Sequence, residues 1–363
     1  MPDESSDARE AVVLEKIETF RRHRPRFQDE FVTLAHGAGG KASAALIDSV
    51  FLDAFRGLER PPLTDAALIT MPEGETLAFT TDSFVVKPLR FPGGSIGHLA
   101  VHGTVNDLAV MGARPHWLSA AFVIEEGFAI SELRRVVTDM TEAAAMSDVE
   151  IVTGDTKVVG RGAADGLYVT TAGIGVVPAA RRVGADLVQP GDRLVISGTI
   201  ADHGMAVMVA RGDLNLEADI KSDTAPVTAL VEALFSAAPS TRWLRDPTRG
   251  GVGTVCNELA RDAGLAVMLE ESALPVDPAV AGACDLLGID PLYVANEGKL
   301  LAVVAADEAD AALRALRSQP AGERAELIGE IRSEPEGIVV LRTSFGGTRI
   351  VDTLVGDPLP RIC

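Results

Sequence analysis

The stretch that decides the fold is "PGGSIGHLAVHGTVNDLAVMGARP", residues 92–115. Within it Val101, Val105 and Leu108 recur at spacings of four and three, which predicts a helix with one apolar face. Segments rich in Thr, Val and Phe stand on either side, at residues 75–86 and 116–125, and such segments favour strands. The mixture predicts an α/β or α+β fold in which this helix packs on a sheet.

Working outward, residues 131–148 predict a second helix with Ser131 as its N-cap, and strands follow at residues 149–159 and 166–177. The turn "QPGD" then opens a new unit in which helices and strands alternate. We therefore expect an N-terminal extension (residues 1–30), an N-terminal domain (31–180), a C-terminal domain (181–345) and a tail (346–363). A length of 363 residues fits two or three domains at about 100–200 residues each.

The overall charge excludes some functions. The formal net charge of −19 argues against non-specific binding to nucleic acid or to an anionic membrane. The sequence contains no apolar run of about 18 residues, so we expect no transmembrane helix. The first 30 residues are charged and lack the apolar stretch of a signal peptide, so we expect a cytoplasmic protein.

The three cysteines are widely spaced and show no CxxC pattern, so neither a disulfide framework nor a zinc site is indicated. Cys256 and Cys284 stand among small and apolar residues, which predicts buried, inert thiols. Cys363 follows Pro358 and Pro360, which keep its segment out of regular helix. That thiol is a candidate reactive group.

Three acidic segments could bind a divalent cation. Asp82 stands in "TTDSF", Asp107 in "TVNDLAVMGA" and Asp155 in "VTGDTKVV". If the three carboxylates converge, they suit Mg²⁺, which prefers oxygen ligands and bridges phosphates. Taken singly, each aspartate is better explained as a helix cap or a turn residue.

A glycine-rich segment, "AHGAGGKAS" at residues 35–43, allows the backbone to approach a phosphate closely. Lys41 adds a positive charge, and His36 is either a nucleotide contact or an ordinary loop histidine. The segment matches neither the P-loop pattern nor GxGxxG, so a simple flexible loop remains the alternative.

Further candidates lie in three short motifs. Lys157 follows Asp155 by two residues, which places both side chains on one face of a strand as an ion pair or a proton-transfer group. "RDPTRGG" sets Asp246, Arg249 and Gly250 before a helix, which suits an anion site or an ordinary cap. "ANEGKL" presents Glu297 in a turn before an apolar strand, as an acid or base or as a surface carboxylate.

Together these motifs resemble the HypE family of hydrogenase maturation proteins, within the wider PurM-like (phosphoribosylaminoimidazole-synthetase-like) superfamily of ATP enzymes. The blocks "LAHGAGGK", "NDLAVMGA", "GDTKVV", "DPTRGG", "ANEGKL" and "PRIC" occur in the expected order, and the resemblance covers about residues 31–363. It implies a PurM-like two-domain fold, with an N-terminal domain that forms a β-barrel with its dimer mate and a C-terminal α/β sandwich.

The resemblance also implies site residues. Mg²⁺ would be held by Asp82, Asp107 and Asp155, and catalysis would involve Cys363, Lys157 and Glu297. We expect Glu297 as base with Lys157 as its relay or charge stabiliser, and the sequence leaves open which of the two is the base. The ATP contacts would be His36, Gly37, Gly39, Gly40, Lys41, Asp82, Asn106, Asp107, Asp155, Thr156, Asp246, Arg249 and Gly250.

The implied activity is ATP-dependent dehydration of a carbamoyl group on Cys363 to a thiocyanate, which supplies the cyanide ligands of [NiFe]-hydrogenase iron. The implied partners are the carbamoyltransferase HypF as donor, the HypC–HypD complex as cyanide acceptor, and a second copy of the chain.

Two alternatives remain open at this point. Another PurM-like enzyme, which makes aminoimidazole ribotide or phosphorylates thiamine phosphate or selenide, would keep the fold. The purine enzyme would have no need of Cys363, and selenide-using enzymes carry a reactive Cys or selenocysteine near the glycine-rich segment, where this sequence has none. A non-catalytic scaffold that offers Cys363 as a metal ligand would leave the acidic segments unexplained, and one thiolate is a poor metal site.

Overall fold

A computed structural model describes residues 29–37, 40–56, 63–212 and 218–354 of the chain. These residues belong to two compact units, of which the first holds residues 29–37, 40–56 and Leu354, and the second holds residues 63–212 and 218–353. Within the part described, no helix has both the length and the apolar character needed to span a bilayer.

The first unit is short and helical. A 3₁₀ turn at Leu34–Gly37 precedes helix α1 (Lys41–Leu46), a π-helical turn (Ile47–Leu52) and helix α2 (Asp53–Arg56). Leu354 closes the unit, because its carbonyl accepts a hydrogen bond from the backbone N–H of Lys41 at 3.2 Å.

The second unit contains seven further helices and fourteen strands. The helices are α3 (Ile96–Val110), α4 (Ile130–Ser147), α5 (Asp202–Arg211), α6 (Thr228–Ala237), α7 (Gly251–Ala263), α8 (Pro278–Leu287) and α9 (Ala309–Arg317). The strands are β1 (Ala67–Thr70), β2 (Thr76–Phe84), β3 (Arg90–Phe91), β4 (Gly94–Ser95), β5 (Arg114–Glu125), β6 (Glu150–Val159), β7 (Leu167–Val177), β8 (Arg193–Ile196), β9 (Trp243–Arg245), β10 (Ala266–Glu270), β11 (Leu301–Val304), β12 (Glu326–Arg332), β13 (Val339–Arg342) and β14 (Thr348–Val351).

Two large sheets organise this unit. The first has the strand order β1-β2-β7-β5-β6, with β5 and β6 parallel and the other neighbours antiparallel. The second has the order β14-β13-β10-β12-β8-β11-β9. In its central strands, alternate residues face two separate cores: Leu194 and Ile196 join one, and Val195 joins the other. The predicted mixed α/β architecture is confirmed.

Helix α3, predicted from the opening stretch, is buried on almost every side. Ser95 caps it, because the Ser95 hydroxyl accepts a hydrogen bond from the backbone N–H of Gly97 at 3.2 Å. Of its residues, only His98 and Asp107 escape full burial. The helix therefore carries Asp107 on the one part of its surface that is left uncovered near its C-terminal end.

Two smaller expectations can be checked directly. Helix α4 begins at Ile130 with Ala129 at its N-cap position, so the prediction of Ser131 as the N-cap was wrong. Cys256 and Cys284 are both buried, as predicted, and burial raises their thiol pKa values to about 12 and about 11. Neither thiol is therefore ionised near neutral pH.

Candidate active site

Three carboxylates from distant parts of the sequence meet in the second unit, one of them (Asp246) buried and the other two partly buried. Asp65 precedes β1, Asp107 lies in the last turn of α3, and Asp246 follows β9 directly. One oxygen of each lies within 4.8 Å of the others. Since β1 and β9 are edge strands of different sheets, the cluster joins the two sheets at one point.

Basic and hydroxyl groups hold this cluster in place. The Arg245 Nε lies 2.9 Å from Oδ1 of Asp65, and another nitrogen of the same guanidinium lies 3.0 Å from the Glu258 carboxylate. The Thr80 hydroxyl donates to Oδ2 of Asp107 at 2.8 Å. The second oxygen of Asp65 is buried and accepts no hydrogen bond from any residue the structure describes. That oxygen is available to a cation.

Burial and mutual repulsion raise the pKa of every carboxyl group in the cluster. Burial is the main cause for each of the three, and nearby carboxylates add to it. The pKa of Asp246 rises to about 6 even though Arg245 opposes the shift. A bound cation would stabilise the ionised form of these carboxyl groups, which burial and mutual repulsion disfavour.

Asp82 joins this cluster from strand β2. It points toward the α3 side of the sheet, where its charge contributes to the raised pKa values of Asp107 and Asp246. Burial raises its own pKa, while the Ser83 amide and Arg249 oppose the shift. The structure thus brings together two of the three aspartates expected to converge, Asp82 and Asp107.

Asp155, Thr156 and Lys157 lie elsewhere, on the exposed edge strand β6. Asp155 pairs in register with Ala121 of β5, and Ala121 pairs in register with Thr170 of β7. Thr170 lies on the exposed face of the sheet, so Asp155 also faces away from α3. The Lys157 ammonium lies 3.0 Å from the Asp155 carboxylate and lowers its pKa. The shared face predicted from their spacing is therefore present, but a single chain does not bring Asp155 to Asp82 and Asp107, nor Lys157 to Glu297.

Glu297 is the fourth acidic contributor to the site. It lies in the turn before β11 and is only 4% exposed. Burial is the main cause that raises its pKa well above the ordinary value, followed by the charges of Asp246, Asp82 and Asp223, whereas Arg249 lowers it. A raised pKa makes the Glu297 carboxylate a stronger base than an ordinary glutamate, which suits a proton acceptor.

Buried amides fix the backbone of this turn. The Asn106 side chain donates to the carbonyls of Glu297 and Ala225 at 3.2 and 3.0 Å and accepts from the Val227 amide at 2.8 Å. The Asn296 side chain donates to the Pro247 carbonyl at 2.8 Å. Asn106, expected as an ATP contact, thus ties α3 to the Glu297 turn.

The "DPTRGG" motif forms the entry to helix α7. Gly250 and Gly251 have positive φ angles of 78° and 61°, which L-residues with side chains rarely adopt. A Cβ atom on Gly251 would lie 2.5 Å from the Leu292 carbonyl oxygen. The tight turn places Arg249 at the surface within electrostatic reach of Asp82 and Glu297.

Comparison with known proteins identifies the family. Residues 63–177 match the model for the AIR synthase related protein N-terminal domain, and residues 189–342 match that for the C-terminal domain. The carbamoyl dehydratase HypE of Rhodobacter capsulatus is 54% identical over 339 residues, which cover 93% of this chain and 99% of the relative. The chain belongs to the HypE family of carbamoyl dehydratases.

Solved HypE structures share the fold. A HypE–HypF complex matches with a TM-score of 0.80 and 46% identity, over 85% of this chain and 100% of that one. A HypE structure in complex with ATP matches with a TM-score of 0.77 and 43% identity, over 92% of this chain and 100% of that one. These likenesses establish the PurM-like fold predicted from the sequence motifs.

The remaining expected HypE-type residues belong to other parts of the chain. His36, Gly37, Gly40 and Lys41 lie in the first unit, where the Thr33 amide donates to Nδ1 of His36 at 2.9 Å and His36 Nε2 lies 3.0 Å from Asp29. Gly39 and Cys363 fall outside the described residues, as do residues 1–28 of the N-terminal extension and residues 355–363 of the tail, whereas the first part of the tail contains strand β14.

Sequence reasoning missed several residues of this HypE-family site. Asp65 is the clearest, because "LTDAAL" carries no distinctive motif and its partner Arg245 is 180 positions away in the chain. Asp223 and Lys299, which flank the Glu297 turn, were also missed. Arg245 and Lys299 could have been predicted from their positions in the quoted motifs. Arg245 directly precedes Asp246 in "RDPTRGG", and Lys299 follows Glu297 by two residues in "ANEGKL".

Proposed function

We propose that the chain catalyses ATP-dependent dehydration of a carbamoyl group carried on Cys363, which leaves a thiocyanate. The observation that carries this proposal is the burial of Glu297 beside the acidic cluster, within a chain that belongs to the HypE family. A proton acceptor and a cation-binding cluster are the two elements that dehydration driven by ATP requires.

The proposed chemistry has two steps. First, the carbamoyl oxygen attacks the γ-phosphorus of ATP, ADP leaves, and the carbamoyl nitrogen gives up one proton. The resulting imidate phosphate then loses its second N–H proton, the C–O bond breaks, and phosphate departs from a new C≡N bond. An amide oxygen is a poor leaving group, and phosphorylation turns it into a good one, which explains why ATP is consumed.

Glu297 is the proposed base. Its pKa is raised, mainly by burial, which makes the carboxylate a stronger acceptor for a proton from a weakly acidic N–H group. Lys157 is proposed to relay the proton or to stabilise charge, as its HypE-type motif implies. Since Lys157 is exposed on β6 of its own chain, this role requires a second copy.

The acidic cluster is proposed to hold Mg²⁺. The oxygen donor set of Asp65, Asp107 and Asp246, with Asp82 nearby, fits this ion, and the unpartnered Oδ2 of Asp65 gives it a position to fill. When bound, Mg²⁺ would neutralise phosphate charge during transfer. Asp155 would add a ligand only from a second copy.

We also propose a homodimer through the outward face of the first sheet. Phe79, Ile174 and Trp117 are paired in register across β2, β7 and β5 on that face, and Phe79 and Trp117 are exposed. Strand β6 is an open, exposed edge, and its outward side carries Asp155 and Lys157. An exposed apolar row beside an unpaired edge favours association with another sheet, and a two-copy β-barrel would satisfy both.

The other expected contacts complete the proposal. ATP would be bound by His36, Gly37, Gly39, Gly40, Lys41, Asn106, Thr156, Asp246, Arg249 and Gly250 in addition to the acidic residues. We retain the division into an extension (1–30), two domains (31–180 and 181–345) and a tail (346–363). HypF is the proposed carbamoyl donor, as a HypE–HypF complex supports, and the HypC–HypD complex the proposed cyanide acceptor, in the cytoplasm.

Intact mass tests the proposal directly. The chain would be incubated with HypF and carbamoyl phosphate, with and without the ATP that the dehydration consumes. We expect a mass gain of one carbamoyl group, which then falls by one water when the chain turns over ATP. Cys363→Ala should show neither change. A wild-type chain that acquires no adduct on Cys363 would overturn the proposal, and an adduct that ATP never dehydrates would favour another PurM-like reaction.

A further inference from the structure

Residues 222–225 form a short segment without regular secondary structure that is held between two helices. The Ser222 hydroxyl lies 2.8 Å from Nδ1 of His203 on α5, and the Thr224 hydroxyl lies 3.2 Å from Nδ1 of His102 on α3. Both histidine side chains are buried. The residue between these two anchors, Asp223, is therefore fixed on both sides by contacts that do not involve the active site.

Asp223 in turn contacts the Glu297 turn through its side chain. The Glu297 backbone N–H donates to Oδ1 of Asp223 at 3.1 Å. The Lys299 ammonium forms an ion pair with Oδ2 at 3.4 Å, and this oxygen accepts no hydrogen bond from the described residues. The Asp223 side chain is 3% exposed and that of Lys299 11%. A buried charge is costly without a partner, so each member of this pair holds the other in position.

The backbone of Asp223 also packs against this turn. A Cβ atom built on Gly298 would lie 1.9 Å from the Asp223 carbonyl oxygen and 2.8 Å from the Ala225 nitrogen. Only a residue without a side chain allows this approach. Three consecutive residues, Glu297, Gly298 and Lys299, thus contact the same aspartate.

We infer that Asp223 is a positioning residue for Glu297, and that Lys299 holds the Asp223 carboxylate in the orientation that accepts the Glu297 N–H. The inference rests on the proposed role of Glu297 as base. A catalytic group must stay within a fraction of an ångström of its working position, and a misplacement of about 1 Å can cost about 100-fold in rate. Asp223 touches neither the carbamoyl group nor ATP in this scheme.

The competing explanation is that the pair stabilises the fold and nothing more. Asp192 and Arg242 provide a matched control in the same unit. The Arg242 Nε lies 2.8 Å from Oδ2 of Asp192, and the side chains of Asp192 and Arg242 are 5% and 23% exposed. Asp192 has no contact with the Glu297 turn and instead accepts the Gln189 amide at 2.8 Å. Loss of either pair should lower the melting temperature, but only loss of Asp223 should disturb Glu297.

The experiment compares Asp223→Ala, Asp223→Asn and Asp192→Ala in the full chain carrying the carbamoyl adduct. We expect Asp223→Ala to lower the single-turnover dehydration rate at least about tenfold, with the KM for ATP changed by less than about twofold. Asp223→Asn should lose less, because its amide oxygen still accepts the Glu297 N–H. Asp192→Ala should dehydrate at the wild-type rate. Equal losses in Asp223→Ala and Asp192→Ala, or a wild-type rate in Asp223→Ala, would overturn the inference.

Hydrogen exchange separates this inference from the proposed function. The Glu297 amide should exchange faster in Asp223→Ala than in Asp192→Ala, whatever reaction the chain catalyses. If the wild-type chain fails to dehydrate its adduct, the proposed function fails while the exchange result still tests the positioning. If Asp223→Ala does not fold, Asp223→Asn carries both measurements, and unchanged exchange together with an unchanged rate in that variant would contradict the role of the charged pair.

Discussion

The Arg245 guanidinium binds Asp65 through only one of the two carboxylate oxygens. Nε lies 2.9 Å from Oδ1, while the buried Oδ2 accepts no hydrogen bond from the described part of the chain. Arg245 therefore orients the carboxylate through Oδ1 and leaves Oδ2 without a hydrogen bond, while one oxygen of Asp65 lies within 4.8 Å of carboxylate oxygens of Asp107 and Asp246. This relationship between residues 180 positions apart is the basis of the proposed cation site.

The first prediction concerns this site. Mg²⁺ should raise the melting temperature of the wild-type chain, since a ligand that binds only the folded state adds about 2.7 kcal/mol at about 100 times its Kd. Asp65→Asn removes one charged ligand and should abolish most of that increase. Asp165→Asn, which removes an exposed carboxylate 3.0 Å from the Lys87 ammonium, should keep it. Equal Mg²⁺ responses in both variants would contradict the assignment of Asp65.

The second prediction concerns the base. Glu297→Gln keeps the size of the side chain but removes the proton acceptor. We expect the carbamoyl adduct to form at the wild-type rate and then to persist in the presence of ATP, as a mass that does not fall by one water. Glu271→Gln, which changes a partly exposed glutamate bonded to Ser344, serves as the control. Dehydration by Glu297→Gln at the wild-type rate would remove Glu297 from the mechanism.

A comparison of Glu297 with Asp65 shows what a sequence can predict. Glu297 could be predicted from the sequence because its turn lies inside a recognisable motif. The strand and helix pattern predicted after that turn was confirmed. Asp65 was not, because a lone aspartate before an edge strand acquires its role only when β1 and β9 are brought together by the packing of two sheets. Local periodicity does not specify such a contact.

Asp155 and Lys157 illustrate a different limit. Their spacing correctly predicted a shared strand face, because side chains alternate along a strand. Whether that face meets solvent or another molecule depends on a second chain, which no pattern within one sequence describes. The single chain therefore leaves both residues exposed and away from Glu297.

The third prediction tests the dimer. Trp117 is 46% exposed at the β5 end of the apolar row on the outward face of the first sheet. Trp117→Asp should place a charge in the proposed interface and convert the particle from twice the chain mass to the chain mass in light scattering after size exclusion. Leu286→Asp, on helix α8, changes a residue that is 71% exposed and away from this face. A dimeric Trp117→Asp would contradict this interface.

The fourth prediction concerns pH. Burial is the main cause that raises the pKa of Asp202 from 3.8 to about 6, while a hydrogen bond from Thr199 opposes the shift. The folded chain therefore binds more protons than the unfolded chain between those values, and the free energy of unfolding falls as pH rises from about 4 to about 6. At about 1.4 kcal/mol per pKa unit the loss is at most about 3 kcal/mol.

Asp202→Asn should remove that loss. The difference in unfolding free energy, variant minus wild type, should increase as pH rises through this window, measured by urea unfolding at several pH values. Glu125→Gln gives the opposite sign, because the Gly162 and Gly166 amides lower the pKa of Glu125 and its contribution is lost as pH falls. A flat difference for Asp202→Asn would show that its pKa is not raised.

The last prediction concerns Gly298. A methyl group there would overlap backbone atoms of Asp223 and Ala225 at 1.9 and 2.8 Å, and these cannot rotate away as a side chain could. Gly298→Ala should therefore destabilise the chain by roughly 1–3 kcal/mol and displace the Glu297 turn, so that dehydration falls together with stability. Chemical unfolding and the adduct mass provide the two measurements.

Gly282→Ala is the matched control for that substitution. Gly282 lies inside helix α8 with no atom within 4 Å of the added methyl group, so alanine should stabilise the chain by up to about 1 kcal/mol through its higher helix propensity. Dehydration should then proceed at the wild-type rate. The prediction would be contradicted if Gly298→Ala were as stable and as active as Gly282→Ala. Residues 222–225 would then be able to move without loss of stability, and the close contact between Asp223 and the Glu297 turn would not constrain the site.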